Sequence, residues 1–278
     1  MPEKALPRGK DPRSRIELAI GLLHRIKHYI NKELIVVADG LYAKAKLVKF
    51  CIKNDITFIS RLRSDAGLYE EPSPRKGPGR PRKYGARLPK LNQMAADKEG
   101  FKKYTLKLYG ELHHFEIKSF EAMWKPAATV IKVLMVYFDD AKTANYFFST
   151  NLSLPDTQII QWLAARFSIE TLFSDLKQHL GMTDWQCRVE KSVVRSVPLT
   201  CVATSVLMLW SYQQNKRKQL GLWTKHAWYR NKASPSVNDM LQQLKAECLS
   251  KTIFDALPHK GIDKRNYHQI ELFLRAAA

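Results

Sequence analysis

Apolar positions along the chain change their spacing several times, and each change marks an element. Ile16, Leu18, Ile20, Leu22, Leu23, Ile26 and Ile30 recur at helical spacing, which predicts an amphipathic helix over residues 16–30. A continuous apolar run, Leu34 to Ala38, follows within ELIVVADG; such a run is the mark of a strand buried on both faces. Asp39 stands at its carboxyl end, before Gly40. A helix over 42–53 and a second buried strand over 56–62, ending among Arg61, Arg63 and Asp65, complete a strand–helix–strand unit whose crossover should be right-handed. Strands are then predicted over 104–109, 114–120, 130–138 and 146–150. The first two alternate in a half-buried way about a turn at Gly110 and Glu111. Leu154 to Arg188 reads as one long helix that opens at Pro155 and Asp156, with Gly181 as a stop signal. Stepping about 100° per residue, Trp162, Ile169, Leu172, Phe173, Leu176 and Leu180 form an apolar stripe. Arg166, Glu170 and Lys177 fall on one line beside that stripe, which on the helix alone is equally well an ordinary ion-paired surface. Residues 193–213 predict a second apolar helix packed against the sheet or the first helix, and 237–249 an amphipathic one.

Charge adds a partner. The 278 residues carry 46 Lys and Arg against 26 Asp and Glu, a net charge of +20, which points to a polyanion. Nucleic acid fits better than a membrane, because the longest apolar run, Val197 to Trp210, is too short for a bilayer and contains Pro198, Thr200, Thr204 and Ser205. The hydrophobic fraction of 45% suffices for a core. Cys51, Cys187, Cys201 and Cys248 include no C-x-x-C pair, so a zinc site is not expected and reduced thiols are. His113 and His114 read as strand-surface residues. Between residues 75 and 90 stand seven Lys or Arg and no acid, among Pro and Gly: a segment that cannot bury a core and should form a mobile loop. Its centre, Gly79-Arg80-Pro81-Arg82, resembles the core of AT-hook peptides; sequence-independent phosphate contact is what its composition supports.

Read together, the helix residues carry a resemblance. Arg166, three residues, Glu170, six residues, Lys177, within RFSIETLFSDLKQHLG and followed by Trp185, Gln186 and Arg188, resembles the Tyr-Arg-Glu-Lys signature of bacterial insertion-sequence transposases of the DDE type. One departure is visible: Leu163 stands where the signature has Tyr, beside Trp162. Asp39 in VVADGLY resembles the second carboxylate of the same enzymes; taken by itself, it reads better as the cap of the following helix. The resemblance implies that Asp39 and Glu170 are metal-binding carboxylates for Mg²⁺ (or Mn²⁺), and that Arg166 and Lys177 hold DNA phosphates. Arg61, Arg63, Arg80, Arg82, Lys83 and Arg188 are expected to add DNA contacts. Trp124 is expected to pack, rather than to stack a base.

The implied fold class is α/β, an incomplete ribonuclease H-like core with a β-rich insertion and C-terminal helices. It divides into a disordered start (1–14), the first part of the core (15–66), the basic loop and insertion (67–128), the second part of the core with the third-acid helix (129–215) and a helical tail (216–278). The first carboxylate is not found: Asp11 is the only Asp before Asp39 and lies in a Pro- and Arg-rich stretch. The expectation is therefore the C-terminal portion of a transposase, inactive alone or dependent on a missing N-terminal fragment. It would act as a homo-oligomer on double-stranded transposon ends, away from membranes, in a bacterial cytoplasm near the nucleoid. The competing expectation is a catalytically inactive DNA-binding remnant. A general basic nuclease and a structural RNA-binding protein account for fewer of these residues. Without preceding strands, the strand at 34–38 should present an open apolar edge and promote self-association.

Overall fold

The structure is a computed structural model and describes residues 13–73, 82–139, 141–184, 186, 189–216 and 235–256. Two compact units divide the chain, Met1–Phe167 and Ser168–Ala278.

The first unit is built on one seven-stranded sheet. In chain order its elements are α1 (Arg15–Tyr29), β1 (Leu34–Ala38), a single 3₁₀ turn (Gly40–Tyr42), α2 (Ala45–Lys53), β2 (Ile56–Arg61), β3 (Leu68–Tyr69), α3 (Leu91–Ala96), β4 (Lys102–Leu108), β5 (Glu111–Trp124), β6 (Thr129–Phe138), β7 (Asn145–Ser149) and α4 (Asp156–Ala165). The strand order is β1-β2-β7-β6-β5-β3, with β4 beside β5. β1 and β2 are parallel, as the helix between them requires, and the remaining pairs are antiparallel. The sheet is thus mixed α/β and mostly antiparallel, and β4 and β5 are hydrogen-bonded into it.

Alternation along the strands feeds two cores. Val36, Phe58, Val133 and Met135 face a cluster that holds Leu47, Val48 and Cys51 of α2, while Val37, Ile59, Leu134 and Val136 face a second cluster under Ile159 and Ile160 of α4. Burial in the first cluster pushes the Cys51 thiol up to about 12. Trp124 is buried and packs its ring 5.4 Å from that of Phe148, the packing role expected of it. β2 is buried along its length except for Arg61. β1 differs from expectation: all five of its residues are half-buried. Among the described residues it pairs only with β2, so it forms the sheet edge, and an edge strand cannot be enclosed as a central one is. Helix α1 is capped by Ser14, whose hydroxyl accepts the Glu17 N–H while Glu17 bonds back to Ser14. Only Leu23 of α1 is fully buried, and Leu18 and Leu22 are exposed.

A buried ion pair fixes α4. Lys132 of β6 lies 2.8 Å from Asp156 in the first turn of α4, their side chains 16% and 15% exposed. Ser119 of β5 donates to the other Asp156 oxygen at 2.7 Å, and Lys132 also donates to the Leu154 carbonyl at 2.7 Å. The acid sits where the helix N–H groups favour negative charge.

The long helix expected from Leu154 to Arg188 is broken. α4 ends at Ala165, and α5 (Ser168–His179) begins the second unit. The Ala164 carbonyl accepts the Phe167 N–H at 3.0 Å and the Tyr109 hydroxyl at 2.9 Å, so the chain tightens there into a turn. Counting 100° per residue across residues 166 and 167 therefore fails. Of the expected stripe, Leu176 is buried, whereas Trp162, Ile169 and Phe173 are exposed. Gly181 does act as the stop, with φ +63°.

The second unit contains α5, α6 (Glu190–Lys216) and α7 (Val237–Ala256), which pack on one another. α6 buries Thr200, Thr204, Leu207, Ser211 and Gln214 and exposes Val194, Val202, Val206 and Leu209, so its covered face is mostly polar. The Thr200 and Thr204 hydroxyls are satisfied by carbonyls four residues back. α6 is longer than the apolar run measured in the sequence, and its Glu190–Gln214 part is long and apolar enough to cross a membrane.

Two outcomes are expected. Asp156→Ala leaves Lys132 charged and unpaired in a mostly buried position and lowers the urea-derived stability by about 3 kcal/mol, whereas Lys132→Met with Asp156→Leu stays within about 1 kcal/mol of the parent. The edge position of β1 predicts self-association at low salt; a monodisperse 32.1 kDa species in light scattering would contradict it.

Candidate active site

Asp39 is placed by the strand before it and the turn after it. Its carboxylate accepts the Gly40 N–H at 2.7 Å, capping the 3₁₀ turn, and its backbone carbonyl accepts the Ser60 hydroxyl at 3.1 Å. Asp39 thus caps the short turn and not the helix expected after it, since α2 begins behind Lys44 with no side-chain cap, and the carboxylate is exposed at the carboxyl end of β1. The β1–β2 register aligns Ala38 with Ser60, which sets Asp39 beside Arg61 at the end of β2. Arg61 donates from its guanidinium to the Asn145 side-chain oxygen at 3.1 Å, at the start of β7.

These residues open onto a cavity of about 440 Å³ that Asp39, Arg61, Asn145 and Arg166 share. β6 runs in the same direction as β2, since both are antiparallel to β7, and it delivers Phe138 and Asp139 to the same edge. Phe115, Phe138 and Phe147 make an apolar floor. Arg166 reaches the cavity from the turn after α4. Leu163 lines it too, at the position where the signature has Tyr; the phenol in this cavity belongs to Tyr109 at the tip of the β4–β5 hairpin.

A second acid faces the cavity. Asp139 has φ +44° and accepts the His114 N–H at 2.9 Å, with His113 Nδ1 at 3.3 Å. Those two contacts, the backbone N–H first, hold its carboxyl below the usual range. His113, read from the sequence as a strand-surface residue, lines the cavity beside it.

Two further hollows continue from Arg61 past Gly40 to Lys44 and Arg63. Arg63 makes a two-pronged contact with Asp65 at 2.8 and 2.9 Å, which lowers the Asp65 carboxyl. The structure thus brings Asp39, Arg61, Arg63 and Arg166 onto one surface and adds Lys44, Asn145, Tyr109, His113 and Asp139. Lys44, just ahead of α2 and two residues after the 3₁₀ turn, is the one of these that its distance from Asp39 in sequence could have signalled.

Arg82 and Lys83 are exposed at the foot of the basic loop, outside this cavity. That foot is closed by Glu70 N–H to Ala86 carbonyl and Gly85 N–H to Glu70 carbonyl bonds. Arg80, Arg188 and Asp11 lie outside the described residues, as does the centre of the loop. Glu170 and Lys177 belong to α5 of the second unit, both exposed, with Glu170 in the first helical turn. Seven residues, or about two turns, separate them, so they share one side of α5. Among the described residues no group of three or more His, Cys, Asp or Glu could hold a metal ion. As a donor, Asp39 fits a hard divalent cation, being an exposed carboxylate that lines the cavity.

The family model for the transposase DDE domain matches residues 12–204, well over half of the chain. No curated protein compared with the chain matches it.

The depressed Asp139 carboxyl has a pH consequence. Its stabilising effect is complete above the unfolded carboxylate value of about 4 and is lost as pH falls through the lower folded value. Stability measured from pH 5 downward is expected to fall less steeply in Asp139→Asn than in the parent; parallel curves would count against the assignment.

Proposed function

The chain belongs to the DDE-domain transposases, and from that premise we propose that it cuts and joins DNA phosphodiesters during transposition, with Asp39 and Glu170 as metal-binding carboxylates. The observation that carries this reading is the position of Asp39: exposed at the end of β1, in one cavity with two arginines, Arg61 and Arg166. A carboxylate on a rigid strand end can ligate a hard cation. Two guanidiniums beside it offer forked donors to a phosphodiester. Divalent ions, Mg²⁺ or Mn²⁺, supply activation of the attacking oxygen and charge stabilisation of the leaving one. Asp39 and Glu170 would hold them, and Arg61, Arg166 and Lys177 would fix the strand. Arg63, Arg82, Lys83 and Lys44, with Arg80 and Arg188, extend a basic surface for double-stranded transposon ends, in keeping with the net charge of +20. The chemistry calls for a homo-oligomer that holds both ends together, acting at the bacterial chromosome and not at a membrane.

A second reading, a protein that binds transposon ends without cutting them, is favoured by one observation: the described residues contain no ready-made group of three metal ligands. Mg²⁺-dependent nicking of labelled duplex DNA separates the two. The enzyme reading expects cleavage by the full chain that falls at least about a hundredfold in Asp39→Ala and in Glu170→Gln, with duplex binding retained. Tight binding with no cleavage in Mg²⁺ or Mn²⁺ would favour the binding protein, and cleavage indifferent to both substitutions would remove the assignment of the two acids.

A further inference from the structure

Tyr109 occupies an unusual place for its residue type. It sits at the tip of the β4–β5 hairpin with φ +53°, followed by Gly110 at φ +92°. A two-residue hairpin turn of positive φ is ordinarily built from Asn, Asp or Gly, and a bulky side chain there is strained. The side chain does not fill a core either, being 68% exposed. It makes two specific contacts. The hydroxyl donates to the Ala164 carbonyl at 2.9 Å, and the ring meets Phe167 edge-on at 5.9 Å between centroids. Those contacts fall on either side of Arg166, at the end of α4, and Tyr109 and Arg166 line the same cavity as Asp39.

We propose that Tyr109 is a positioning residue for Arg166: by holding Ala164 and Phe167 it fixes the turn that keeps the Arg166 guanidinium in the Asp39 cavity, where it anchors a DNA phosphate. The helix end needs such a partner. At this end the Arg166 N–H reaches the Trp162 carbonyl and the Phe167 N–H the Ala164 carbonyl, local bonds that tie the turn to nothing beyond α4 itself. Removing the hydroxyl leaves the ring contact and the Phe167 N–H bond in place but takes away the hairpin's tie to the Ala164 carbonyl, and the arginine at the corner gains freedom that costs affinity for its phosphate.

The proposal rests on the DNA-binding reading of the cavity, and its test separates the two. The probe is a fluorescein-labelled duplex of mixed sequence, titrated with the full chain across a NaCl series by anisotropy. Arg166→Ala is expected to weaken binding severalfold and to reduce the salt slope by about 0.9, the loss of one phosphate contact. Tyr109→Phe is expected to weaken binding by about threefold and to reduce the slope in the same direction, yet to have no further effect in an Arg166→Ala background. Equal effects of Tyr109→Phe with and without Arg166, or a lowered melting temperature with affinity and slope unchanged, would make Tyr109 merely structural and overturn the proposal. If Arg166→Ala itself changes neither affinity nor slope, the phosphate reading of the cavity falls, and the role of Tyr109 with it.

Discussion

An ion pair taken largely out of water holds α4 against the sheet. Lys132 and Asp156 meet at 2.8 Å, Ser119 donates to the other Asp156 oxygen, and Lys132 also donates to the Leu154 carbonyl. Such a pair contributes little net stability compared with an apolar replacement, whereas breaking it leaves one charge buried and unpaired. The start of α4 is therefore fixed to β6 and β5. Its other end is fixed by the Tyr109 hydroxyl from the β4–β5 hairpin. Arg166 directly follows the helix so tied.

Everything gathered around Asp39 follows from strand direction. β1, β2 and β6 run the same way, so their carboxyl ends share one edge of the sheet, and β5 and β7 begin there. Three chemical kinds of group converge as a result: acids at Asp39 and Asp139, bases at Arg61 and Arg166, and an aromatic floor of Phe115, Phe138 and Phe147. Neither acid faces the cavity bare. Asp39 caps a turn and Asp139 caps the start of β5, so each is oriented by backbone N–H groups before any ligand arrives. In a DDE-domain transposase, an oriented carboxylate beside guanidiniums is a surface suited to a phosphodiester and the cation that accompanies it.

The second unit departs from simple amphipathic logic. α6 covers threonines, a serine and a glutamine and leaves valines and leucines outside. The hydroxyls can face inward because carbonyls one turn back accept their protons. Apolar periodicity, which reliably marks a helix, therefore did not mark which face of this helix packs on α5 and α7.

Sequence alone determined the parts governed by near neighbours. The unbroken apolar runs at Leu34–Ala38 and Ile56–Leu62 named β1 and β2, and the helix between them dictated that they be parallel. That Asp39 and Arg61 stand at strand ends was legible from those runs, and Gly181 was legible as a stop because the backbone there needs positive φ. Only tertiary structure decided the rest. The turn after α4 is met at the Ala164 carbonyl by a hydroxyl 55 residues upstream, a contact that no window around Arg166 contains. The half-exposure of β1 depends on where it stands in the sheet, and the entry of Asp139, His113 and Tyr109 into the cavity depends on strand order and hairpin register. Periodicity along a chain reports that a side chain has an inside and an outside; which partner makes the inside is a property of contacts between distant residues.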